Sequence, residues 1–102
     1  MGKIILKEKV NFSQQTYLSD VLFKSSNIQL ELLCLEKGQE IIPQKVNSQV
    51  VILVVSGNGT LTQGTNVYDL KPDLVIIFEG MEPCGIKARE QMVVVRYSVP
   101  PP

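Results

Sequence analysis

The chain has 102 residues, with ten Lys+Arg against ten Asp+Glu, 44% hydrophobic residues, two Cys and no His. One domain is expected at that length, with a core that needs no disulfide or zinc staple, and zero net charge removes the basic surface that nucleic acid demands. The absence of histidine excludes Ser-His and Cys-His nucleophile pairs, His-based metal sites and imidazole acid-base work, leaving carboxylates, Lys, Tyr, Arg, Cys and amides for any chemistry.

In chain order, Met1–Val10 holds a single short apolar run, Ile4-Ile5-Leu6, between charges. That is too short for a signal peptide, and no later run approaches the ~20 apolar residues of a membrane span. Cys34 and Cys84 lie far apart without CxxC spacing, so a reduced, cytoplasmic protein without a membrane partner is expected. The stretch Phe12 to Lys24 is the least β-like, and reads either as a short turn capped by Ser13 or as an extended lead-in. Gln29–Leu35, Gln49–Ser56, Leu74–Phe78 and Met92–Tyr97 are short apolar runs, the last three dense in β-branched residues. Turn signals separate them: Ser25-Ser26-Asn27, Lys37-Gly38, Ser56-Gly57-Asn58-Gly59, Gln63-Gly64-Thr65-Asn66 and Lys71-Pro72-Asp73. Gly59 to Leu70, with Gly64 near its centre, reads as a hairpin. The tail Val99-Pro100-Pro101-Pro102 is expected outside the fold, because proline donates no hydrogen bond to a sheet. The prediction is one all-β domain over residues 1–98, with eight to ten strands packed as a sandwich or rolled into a small barrel. Runs such as VVILVV have no polar face to offer water, so their outer side needs a cover, and a second copy of the chain is the expected one.

From Gly38 onward the pattern resembles the small single-domain cupins. The residues that carry the likeness are Gly38-Gln-Glu-Ile-Ile-Pro43-Gln44-Lys-Val46, Val50, Gly57-Asn-Gly59, the Gly64 hairpin, Leu70-Lys-Pro72-Asp73 and Glu82-Pro83-Cys84-Gly85-Ile86-Lys-Ala88. Tyr17–Phe23 and Leu30–Gly38 resemble the lead-in strands of that group. The resemblance implies an all-β double-stranded β-helix, the jelly-roll barrel of the cupins, usually paired as a homodimer. The family's first motif fits from Gly38 to Gly57 without a gap, but its ligand positions hold Gln44, Val46 and Val50, and the second motif's histidine position holds Cys84. Asp73, Glu79 and Met81 stand where the family favours Gly, Pro and Gly, and Ala88 where it often has Asn. A divalent metal wants three or four N, O or S donors, and one amide with one thiol falls short, so no metal and no cofactor are expected.

The expected pocket lining is Gln44, Val46, Val50, Ile52, Cys84 and Ile86, around a small apolar or weakly polar ligand. Cys84 reads either as a reactive thiol or as a packed small hydrophobe; no histidine exists to activate it. Gln44 is either a ligand contact or a solvated remnant. Arg96, inside an apolar strand, needs a carboxylate partner or serves as a ligand anchor. Two functions stay open: a metal-free, non-catalytic barrel with a binding, sensing or structural role, and an enzyme on a small metabolite using Cys84 and Gln44.

Overall fold

The computed structural model describes all residues, Met1–Pro102. A single turn of 3-10 helix, Leu6–Glu8, precedes nine strands: β1 Leu18–Lys24, β2 Gln29–Leu35, β3 Glu40–Ile41, β4 Gln49–Ser56, β5 Gly59–Gln63, β6 Asn66–Leu70, β7 Val75–Glu79, β8 Cys84–Ala88 and β9 Met92–Val99. They form two antiparallel sheets, ordered β1-β2-β9-β4-β7 and β3-β8-β5-β6. Chain neighbours therefore change sheets repeatedly, which is how a jelly-roll barrel closes. Between Phe12 and Leu18 the chain forms bends and an extended lead-in, with no helix.

Alternation decides what fills the barrel. Val50, Ile52 and Val54 of β4 point inward with Leu33 and Leu35 of β2, Met92 and Val94 of β9, and Leu61, Leu70, Ile86 and Ala88 of the opposite sheet, all buried in one cluster. The outer face of the five-stranded sheet is treated unevenly. Leu6, Val10 and Phe12 of the N-terminal segment pack on Leu32, Cys34 and Val93, covering β2 and the start of β9. Toward β4 and β7 nothing covers it: Leu53, Val55, Val75 and Ile77 are exposed, the last two by 52% and 64%.

The turns follow local chemistry. β5 and β6 pair through Gln63↔Asn66 around Gly64, whose φ of 59° supplies the left-handed conformation that a tight hairpin needs. Gly57, at φ 78°, sits so close beneath β9 that a Cβ there would meet the Gln91 carbonyl oxygen. Pro72 and Asp73 occupy the centre of a turn closed by Leu74 N–H donating to the Lys71 carbonyl (3.2 Å), with Asp73 at φ 72° where a glycine would be unstrained.

The proline tail differs from expectation. Val99 pairs with Gln49 inside β9, and the Ser48 hydroxyl donates to the Pro100 carbonyl oxygen at 2.6 Å. Proline lacks a donor but keeps its acceptor, so the tail is tied to the start of β4 rather than lying outside the fold.

Candidate functional site at the barrel mouth

The inward positions of β9 continue past Met92 and Val94 to Arg96 and Ser98, and this parity brings a guanidinium to the mouth of an apolar barrel. Arg96 stands directly across from Glu31 on β2, with which it pairs in register. Its Nε donates to Glu31 Oε1 at 3.0 Å and its Nη2 to Oε2 at 3.2 Å, and the Ser19 hydroxyl donates to the same Oε2 at 2.9 Å. Glu31 is only 5% exposed, so Arg96 neutralises a carboxylate that would be costly there alone. Arg96 is thus paired within its own chain, and its Nη1 makes no hydrogen bond to the protein.

The segment between β3 and β4 forms the facing wall. Val46 N–H donates to the Gly80 carbonyl (3.0 Å) and Gly80 N–H to the Ser48 carbonyl (2.7 Å), which fixes Val46 against the loop after β7. A side chain at Gly80 would strike Val46, so glycine there permits the close approach. Cys84, the first residue of β8, enters from the other sheet, half-buried, its thiol donating to the Glu82 carbonyl at 3.5 Å.

These walls enclose a cleft of about 110 Å³. Gln44, Val46, Val50 and Cys84, four positions that lie up to forty residues apart in sequence, all line it. Ile52 and Ile86 do not: both are buried deeper in the core, because each lies two residues further along its strand from a lining residue, below the cleft floor. Tyr17, Ile41, Ile42 and Phe78 complete the apolar wall, Arg96 and Ser98 add polar groups, and Pro102 lies at the rim. Sequence reasoning singled out Arg96 without placing it here; its even spacing from Val94 was the available signal. Tyr17 and Pro102 carried none.

Burial pushes the Cys84 thiol above its ordinary pKa, and the Glu82 carboxylate adds to the rise. Both effects keep the sulfur protonated, which is the opposite of what a nucleophilic thiol needs. The donor set also does not fit a divalent metal. Two valines offer nothing, one amide and one thiol are too few donors for a coordination sphere, and no group of three His, Cys, Asp or Glu converges anywhere in the chain.

No protein-family model and no curated protein matches the sequence. Among solved structures, an RmlC-like cupin protein from Desulfovibrio desulfuricans superposes with a TM-score of 0.93 at 24% identity, over 100% of this chain and 99% of that one. The chain has the cupin fold. A cupin superfamily protein from Desulfitobacterium hafniense gives a TM-score of 0.86 at 17% identity, over 92% of this chain and 86% of that one. The ectoine synthase of P. lautus gives 0.81 at 23% identity, over 100% and 80%. In this cupin barrel, then, the motif spacing from Gly38 to Gly57 places Gln44, Val46 and Val50 on one cleft with Cys84, while the side chains at those positions do not suit a metal. No helix is long and apolar enough to cross a membrane.

Proposed function

We propose that the chain is a metal-free, non-catalytic cupin that works as a homodimer and holds a small apolar or weakly polar ligand in the mouth cleft, in the cytoplasm, where both of its thiols stay free. The observation that carries the reading is the lining of the cleft: Gln44, Val46, Val50 and Cys84 converge there without a metal-ligand set, in a lining that mixes apolar side chains with the polar groups of Gln44, Arg96 and Ser98. The protonated thiol of Cys84 argues for packing rather than for nucleophilic attack. Dimerisation rests on the bare outer face of β4 and β7, where Leu53 pairs with Val75 and Val51 with Ile77 to make a contiguous apolar stripe beside the unpaired edge of β7.

Metal content of protein purified from medium supplemented with Mn, Fe, Ni and Zn tests the first part: the expected result is well below one equivalent of any of them, and a stoichiometric metal overturns it. Light scattering across a dilution series tests the second, with a dimer expected for the wild type and a monomer for Ile77→Asp. A wild type that is monomeric at all concentrations removes the dimer.

A further inference from the structure

Resting on the reading of the mouth cleft as a ligand site, the geometry points to the class of ligand: an uncharged molecule of about five or six non-hydrogen atoms whose carbonyl-type oxygen accepts a hydrogen bond from Arg96. Three observations combine. The cleft of about 110 Å³ is somewhat smaller than the ~150 Å³ cavity that accommodates benzene, so it admits a small ring or a short branched chain and little more. Its walls set the apolar side chains of Ile41, Val46, Val50 and Phe78 beside the polar groups of Gln44, Arg96 and Ser98, which suits a body that is apolar on one side and polar on the other. Its one charged lining residue, Arg96, spends Nε and Nη2 on Glu31 and leaves Nη1 with donors and no partner in the chain.

The charge balance selects against an anion. Glu31 already cancels the guanidinium, with both of its oxygens engaged and 5% of its surface exposed. A second carboxylate would enter a narrow cleft beside an existing one, with no unpaired positive charge to meet it. A neutral acceptor keeps the pair intact and satisfies the remaining guanidinium donors, and a hydrogen bond to a charged donor outweighs one between neutral groups. The free donors of Arg96 and the neutrality of its pair therefore specify the same ligand: an apolar ring or chain carrying one ketone, amide or ester oxygen.

The test uses the full chain, isotope-labelled for NMR, and three probes of similar size: cyclopentanone, cyclopentane and butyrate. The methyl signals of Val46 and Val50 report entry to the cleft, and the Arg96 Nε–H signal reports contact with the guanidinium. Expected are saturable methyl shifts with cyclopentanone, an accompanying Arg96 shift, affinity about tenfold above that of cyclopentane, and weaker binding of butyrate. The Glu31→Leu/Arg96→Met double variant, which removes both charges together, should take up cyclopentanone and cyclopentane alike. Methyl shifts from cyclopentanone without an Arg96 shift, or equal affinity for ketone and hydrocarbon in the wild type, overturn the inference and leave the cleft reading standing. Butyrate binding tighter than cyclopentanone overturns the neutral class. No methyl shift with any probe overturns the ligand site itself.

Discussion

The Glu31–Arg96 pair sets up a double-mutant cycle whose outcome differs for a buried and a surface pair. Arg96→Met removes the cation from Glu31, a residue 5% exposed in the native chain, and leaves the Ser19 hydroxyl at 2.9 Å as its carboxylate's remaining side-chain donor. Removing one partner of a buried pair costs about 3–5 kcal/mol, and the surviving Ser19 bond places this case near the lower figure, about 3 kcal/mol. Glu31→Leu is milder. The Arg96 side chain is 28% exposed and can turn its head to solvent, so a loss of about 1 kcal/mol is expected. The double variant replaces the pair with apolar groups of similar shape and should fall within about 1 kcal/mol of wild type. Urea unfolding at neutral pH reads all four proteins; with a slope of about 2 kcal/mol per molar, Arg96→Met should lower the midpoint by about 1.5 M. Losses of no more than about 0.5 kcal/mol in each single variant, adding in the double, would show a solvent-screened pair and refute the account of a barrel mouth that buries charge.

Three further outcomes follow from the backbone and the thiol. Gly57→Ala combines a φ of 78° with a Cβ directed into the Gln91 carbonyl, so it should cost more than about 3 kcal/mol in the same denaturation assay or prevent folding. Asp73→Gly, at φ 72° after Pro72, should stabilise by about 0.5 kcal/mol, the relief of left-handed strain less the added freedom of the unfolded chain; a destabilised variant would mean that the carboxylate makes a contact of its own. Iodoacetamide should modify Cys84 more slowly at pH 7 than it does a free cysteine, accelerating only as pH rises past the ordinary thiol range. Because the folded thiol holds its proton more tightly than the unfolded one, its contribution to stability is present below the unfolded pKa and lost as pH climbs through the folded value; Cys84→Ala should flatten that decline.

What was legible in the sequence was whatever depends on near neighbours. Short apolar runs dense in β-branched residues, such as Gln49–Ser56, announce strands because those side chains fit a pleated surface. The Gly64 hairpin and the turn at Gly57 follow from residues that tolerate positive φ. Gln44 and Val46, in the segment between β3 and β4, line one cleft with Val50 of β4, as the spacing from Gly38 to Gly57 suggests. Depth was not legible. Val50 and Ile52 have the same parity on β4, yet one lines the cleft and the other lies beneath it, a difference set by how the second sheet stacks across them.

The partner of Arg96 was likewise beyond the sequence, which offered ten acidic residues as candidates. Only the β2–β9 register, joining positions sixty-five residues apart, chose Glu31. The anchorage of the proline tail lay beyond the sequence for the same reason: an acceptor needs a donor, and Ser48 lies fifty-two residues upstream of the carbonyl it meets. By itself the sequence determined an all-β chain whose motif positions hold one amide, two valines and one thiol, because strand propensity, turn conformation and donor chemistry are properties of individual residues and their neighbours. Tertiary structure alone decided which of those residues meet, since a neutralised charge pair and a lined cleft exist only where distant strands are held side by side.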